Sequence, residues 1–172
     1  MRHIISVLVQ NRSGVLAHVA GLFSSRGFNI DSLAVGETED PQLSRMTIVS
    51  GGDEEILEQI IKQLRKLIHV VKVQDISRRA HVERDLALIR VHAPPEKRTE
   101  IMAVVEVFRG KIVDIAPREM MIEISGPEEK VTAFLDLLRP HGVSGLVRTG
   151  VVAMPRGLSG KASAGSSGNA LK

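Results

Sequence analysis

The sequence predicts an α+β chain built as two ferredoxin-like βαββαβ units in tandem, and three observations carry that expectation. First, hydrophobic residues make up 43% of the 172 and charged residues 25%, a globular balance with enough apolar side chains for a sizeable core. Second, four stretches place apolar residues three and four apart, one stripe per helix. Third, strands and helices follow in the same order in both halves, so one pattern is used twice.

In the first half, residues 3–9 read as a strand, 14–25 as a helix, 30–35 and 43–50 as strands, 54–67 as a helix and 70–76 as a strand. The first helix rests on Leu16, Val19, Ala20 and Phe23, with Gly27 at the place of a left-handed cap. The second rests on Ile56, Ile60, Ile61, Leu64 and Leu67. Asp53 can cap it, with Glu54 and Glu55 in its first turn and Arg65 and Lys66 in its last, the order the helix dipole favours. In the second half, 85–92, 111–115, 120–124 and 145–152 read as strands, 97–108 and 128–138 as helices. Ile101, Val104, Val105 and Phe108 align in the third helix, which Gly110 ends. Val131, Phe134, Leu135 and Leu138 align in the fourth, with Pro127 at its first position. This divides the chain into a first unit at 1–77, a polar linker at 78–84, a second unit at 85–154 and a flexible Gly/Ser/Ala-rich tail at 155–172. Each helix pair covers one sheet face, so the other face and the sheet edges call for a partner, and side-by-side dimerisation is a natural outcome.

Composition removes several function classes. Cysteine is absent, which excludes disulfides, thiol nucleophiles and thiolate metal sites. Aromatic residues are 2%, with neither Trp nor Tyr, which argues against base-stacking nucleic-acid binders. The formal charge of +3 sits in the tail: Arg156, Lys161 and Lys172 account for it, and without these three of the 23 basic residues the remaining 20 equal the 20 acidic ones. No basic face of the kind that binds phosphates is evident. The apolar run at 4–9 is too short for a membrane span or a signal segment, so a cytoplasmic protein is expected.

No catalytic pattern stands up against ordinary structural use of the same residues. None of the six His lies three or four residues from another on a helix. The acidic run at 37–40 precedes Pro41 and reads as a hairpin loop. Ser13-Gly14 and Ser125-Gly126 lack the glycines of a nucleophile elbow, and the glycines at 51–52 lack a phosphate-loop lysine. The stretch NRSGVLAHVAGLFSSRGFNI, residues 11–30, is different. Gly14 opens a helix whose first N–H groups have no intrahelical partner and suit a carboxylate. Asn11 offers a donor and an acceptor, and Val15 and Leu16 are aliphatic. Together they could meet the ammonium, carboxylate and side chain of a free amino acid, while Asn and Gly at these positions are also ordinary turn and cap residues. Asn29, between Gly27 and Ile30, reads by itself as turn chemistry.

These residues resemble the ACT domain of the regulatory small subunit of acetohydroxyacid synthase, also called acetolactate synthase. The combination of N-x-S-G-x-L, R-G-F-N-I, D-P-x-L-S-R-M-T-I and H-V-E-R carries the resemblance, which continues through FRGKIVDI and covers about residues 1–154. It implies that the first unit is an ACT domain and that the chain is not itself an enzyme. It implies a separate catalytic subunit that this chain activates, with thiamine diphosphate, Mg and FAD on that subunit and no cofactor here. It also implies feedback inhibition by valine or a related branched-chain amino acid bound between two ACT domains of a homodimer. Asn11, Gly14, Val15 and Leu16 would come from one chain, Asn29 and Ile30 from the other, with Gln59 nearby. Position 28 is Phe where Tyr would also fit the pattern, so it offers no hydroxyl. An amino-acid-sensing regulator of gene expression is the alternative, and it would need a nucleic-acid-binding module.

Overall fold

The computed structural model describes residues 1–157. In the first unit, β1 (Arg2–Gln10), β2 (Ser32–Glu37), β3 (Leu43–Gly51) and β4 (Val70–Asp75) form an antiparallel sheet in the order β2-β3-β1-β4. Helices α1 (Val15–Ser25) and α2 (Glu54–Leu64) lie on one face of it. In the second unit, β5 (His81–His92), β6 (Lys111–Ile115), β7 (Glu119–Gly126) and β8 (Val143–Arg148) follow the order β6-β7-β5-β8, covered by α3 (Arg98–Val107) and α4 (Glu128–Leu138). A last strand, β9 (Val152–Pro155), pairs with the start of β5. The two tandem ferredoxin-like units expected from the sequence are therefore present.

Each unit has its own core. Ile5, Val7 and Val9 of β1 and Met46 and Ile48 of β3 meet Val19 and Phe23 of α1 and Ile60 and Leu64 of α2. Ile89 and Val91 of β5 and Ile122 of β7 meet Ile101 of α3 and Phe134 of α4 in the same way. In β5 and β7 the buried positions alternate, as a sheet covered on one face requires, whereas β1 and β3 are buried at consecutive positions because the first sheet is covered on both faces.

The phase of α1 differs from expectation. Val15, Val19 and Phe23 are buried and Leu22 packs against them, while Leu16 is 44% exposed. Both stripes satisfy helical spacing, and in a helix this rich in apolar residues only the sheet decides which one turns inward. Asp53 does cap α2, its side chain accepting the Ile56 N–H at 2.9 Å. The helix stops at Leu64 rather than 67, because Lys66 and Leu67 take the tighter bonds to the Gln63 and Leu64 carbonyls. Pro127 stands just before α4 with extended backbone, not at its first helical position.

The two Arg-Gly pairs end their helices differently. After α1, Gly27 takes the left-handed conformation (φ 69°), its N–H bonds to the Ser24 carbonyl and that of Phe28 to the Phe23 carbonyl. Phe28 then packs edge-on against Phe23, with centroids 6.4 Å apart. This is a Schellman motif with its apolar contact. After α3 the same bonds form from Arg109 to Glu106 and from Gly110 to Val105, but here Arg109 holds the positive φ of 54°. Gly110 serves closeness instead: an added Cβ would lie 3.3 Å from the Glu123 carbonyl and from Val105.

Two further differences arise where the units touch. The strand expected at 145–152 is broken into β8 and β9 by a corner at Thr149–Gly150. Gly150 (φ 83°) lies so close to β2 that a Cβ there would sit 3.0 Å from the Leu33 carbonyl oxygen. The segment expected as a linker, 78–84, is free chain only in part. His81–Arg84 pair with β9, residue 81 opposite 155 and 84 opposite 152. Val151 and Ala153 then bury against Ile4, Val49 and Ile76 on the face of the first sheet that its helices leave open. Of the expected tail, Pro155 belongs to β9, and residues 158–172 lie outside the described residues.

Charges complete the junction. Arg2 reaches Glu83 at 3.1 Å and Glu128 at 2.8 Å, and Arg148 bonds to buried Asp85 at 2.6 Å. Burial would raise the pKa of Glu83, but the hydrogen bond and charge of Arg2, the Glu128 N–H and the charge of His81 outweigh it, and the carboxyl lies below its usual range. A carboxylate lowered on folding stabilises above its unfolded pKa, and that contribution disappears as pH falls through the folded value. Stability attributable to Glu83 is therefore expected to be full at neutral pH and to fade in acid. Arg2→Met should remove about 1 kcal/mol at pH 7 and much less in acid, as read by urea unfolding across pH. Arg109→Gly should raise stability by about 1 kcal/mol by relieving the left-handed strain, whereas Gly110→Ala should lower it. Urea midpoints of the two variants test that opposition.

Candidate functional site

The turn between β1 and α1 is held from both sides. The Asn11 N–H bonds to the Gln42 carbonyl at 2.7 Å, so the turn is stitched to the loop between β2 and β3. The Asn11 side-chain amide donates to Glu37 Oε1 at 3.0 Å and to the Pro41 carbonyl at 2.9 Å. With both donors used, the side chain presents its carbonyl oxygen, an acceptor suited to an ammonium group.

Gly14 precedes α1 with φ 84°, and no side chain caps the helix. An acidic residue is likewise missing from its first turn. Among the described residues no side chain bonds to the positive end of α1, and the helix supplies no acid of its own there. A Cβ at Gly14 would touch nothing within 4 Å, so the space beside this helix end is open. Val15 turns into the core at 3% exposure and Leu16 faces out. Of the two aliphatic residues expected to meet a ligand side chain, Leu16 is the accessible one.

Asn29 and Ile30 stand elsewhere. The Asn29 side-chain amide donates to Asp31 at 2.6 Å and the Asn29 backbone carbonyl accepts from the Ser50 hydroxyl at 2.7 Å, at the far end of α1. Ile30 is half-buried against the first core. Eleven helical residues, about 16 Å, separate the two groups within one chain. Gln59 is on the exposed side of α2. Its neighbour one turn on, Gln63, shares a hollow of about 460 Å³ with His18, Gly21 and Lys66, and Gln59 does not.

Sequence reasoning had left His18 and His69 as scattered polar residues. The fold stacks their rings beside the first turn of α1, with centroids 6.5 Å apart and planes within 8°. His69 Nδ1 lies 3.0 Å from the Gln10 side-chain oxygen. With Val15 and Lys66 they line a second hollow, of about 290 Å³. Nothing local in the sequence marks this pair, since α1 and the α2–β4 connection meet only in the fold. Among the described residues no group of three or more His, Asp or Glu is placed to hold a metal ion, and no helix is long and apolar enough to cross a membrane.

Comparison with known proteins agrees with this architecture. A family model described as the AHAS small subunit-like ACT domain matches residues 5–72, and one described as the small subunit of acetolactate synthase matches residues 84–157. The probable acetolactate synthase small subunit of Archaeoglobus fulgidus is 58% identical over 157 residues, covering 91% of this chain and 98% of that one. The acetolactate synthase isozyme 3 small subunit of Escherichia coli is 46% identical over 158 residues, covering 91% and 97%. The crystal structure of the acetolactate synthase small subunit from Thermotoga maritima superposes with a TM-score of 0.82 at 47% identity, covering 91% of this chain and 98% of that one. The chain belongs to the acetolactate synthase small-subunit family, with an ACT domain as its first unit.

Proposed function

We propose that this chain is the regulatory subunit of a thiamine-diphosphate-dependent acetolactate synthase. In this reading it activates a separate catalytic subunit in the cytoplasm and makes it sensitive to feedback inhibition by valine or a related branched-chain amino acid. Its relatives are small subunits by name, and a small subunit implies a large one. Thiamine diphosphate, Mg and FAD belong, in this reading, to the catalytic subunit.

The observation that carries the proposal is the uncapped, unobstructed start of α1 beside Asn11. First-turn N–H groups take the carboxylate of the effector, the Asn11 carbonyl oxygen takes its ammonium, and Leu16 borders its side chain. Asn29 and Ile30 complete the site from a second copy. What supports this is the place of β2, an edge strand whose backbone is unpaired on one side. Two copies of β2 paired antiparallel about a two-fold axis bring the start of one strand beside the end of the other. Asn29 and Ile30 precede that start, and Glu37 at the end holds Asn11. The effector then acts by favouring the dimer arrangement that binds it, with a coupling of about 1–3 kcal/mol typical of such linkage.

Gly14→Asp places a carboxylate where the effector's would sit. It is expected to abolish valine binding by calorimetry and feedback inhibition in the assembled enzyme, while activation of the catalytic subunit persists. Asn11→Ala should weaken valine binding at least tenfold, the loss of about one charge-assisted hydrogen bond. Undiminished valine binding by both variants would refute the site, and joint loss of activation and inhibition would indicate misfolding instead.

A further inference from the structure

The open face of the first sheet is not fully covered by β9. An apolar groove of about 510 Å³ runs between that face and the ribbon of β5 and β9, a size that suits a small ligand. Side-chain alternation sets its composition. Val49 of β3 meets Val151 on the open face, so Thr47 and Arg45 follow it there, and their partners on β2, Ala34 and Gly36, share that face. These residues make the floor. On the ribbon, Val82 stands opposite Met154 and Arg84 opposite Val152, and this side of the ribbon makes the wall. Val152 and Met154 are 50% and 65% exposed.

The charge inside the groove has one sign. Arg45 donates to the Ser6 hydroxyl at 3.1 Å and Arg84 to the backbone carbonyl of Glu83. Among the described residues neither guanidinium forms an ion pair. Glu37 borders the groove at the strand edge, but its side chain lies on the helix face, where it accepts from Asn11. Apolar walls take an aliphatic chain, and a guanidinium with free N–H donors takes a carboxylate. A zwitterionic amino acid is selected against, because its ammonium would meet cations and no anion. We propose that the groove is a binding site for an aliphatic carboxylate that has no amino group, with its carboxylate on Arg45 and its chain along Ala34, Val152 and Met154. Arg84 adds attraction from the opposite wall. The site is separate from the effector turn, which is on the helix side of the sheet. It also leaves the two-chain arrangement proposed above intact, since β2 pairing uses the strand edge in the plane of the sheet and the groove lies on the face. Its floor belongs to the first unit and its wall to the second, so an occupant bridges the junction.

Calorimetric titration of the full chain with octanoate tests this. Octanoate is expected to bind saturably at a single site per chain, and n-octanol and 2-aminooctanoate, with the same chain but no net negative charge, at least about tenfold more weakly. Arg45→Met should weaken octanoate binding about tenfold by removing the carboxylate's partner. Met154 is exposed, so Met154→Glu should leave the fold intact, and it should also weaken octanoate about tenfold by placing a like charge in the wall. No saturable octanoate binding, octanol bound as tightly as octanoate, or undiminished binding by Met154→Glu would each overturn the proposal. Saturating valine should leave octanoate binding unchanged, and displacement of octanoate by valine would move the carboxylate to the β1–α1 turn and overturn the groove assignment. A chain that binds octanoate in this way but does not bind valine refutes the effector reading alone. A chain that binds valine through Asn11 but not octanoate refutes this inference alone.

Discussion

A sheet with both helices on one side leaves its other side to be covered, and in the first unit the cover comes from the second. Val151 and Ala153 of the β8–β9 corner bury against Ile4, Val49 and Ile76. That arrangement requires β5 to be long. Its first residues pair with β9 above the first sheet, and its later ones form a central strand of the second. One strand is shared between two jobs, so the units meet through continuous backbone and not only through side chains. The ion pairs of Arg2 with Glu83 and Glu128 sit around this junction and secure its orientation at neutral pH.

The same constraint shapes the β1–α1 turn. The helix face of the first sheet is closed by α1 and α2, so the accessible parts are the ends of α1 and the free edge of β2. The β1–α1 turn is made rigid by its bonds to the β2–β3 loop, through the backbone of Asn11 and through Glu37 and Pro41. A rigid turn beside a helix end that no side chain caps would, in the proposed reading, be preorganised for a small zwitterion, since little ordering cost remains to be met on binding. Its proposed complement, Asn29 and Ile30, is fixed at the other end of α1 by the Schellman turn and by Ser50. In the proposed two-chain site, two rigid half-sites that cannot meet within one chain would make binding and association a single equilibrium.

Much of this was legible in the sequence because it depends on local chemistry. The helix stripes, the Asp53 cap, the left-handed Gly27 and the repeated order of elements follow from propensities that act over a few residues. Other features were ambiguous for the same reason. The stripe of α1 has two admissible phases, and Leu16 was assigned to the buried one. The two Arg-Gly pairs look alike in sequence, yet Gly27 supplies a positive φ and Gly110 supplies room for the Glu123 carbonyl. Local sequence identifies the end of a helix but not which neighbour will approach it.

The sequence by itself determined the fold class, the family and the chemistry of the β1–α1 turn, because these lie in contiguous residues whose spacing and type are sufficient. Tertiary structure alone decided which Asn11 atoms are left for a ligand, that His18 and His69 stack, that 81–84 is strand and not linker, and that Arg45 and Arg84 line one groove. Each of these is a meeting of segments distant in sequence. Their proximity is set by sheet order and by the burial of β9 on the first sheet, which no local pattern encodes.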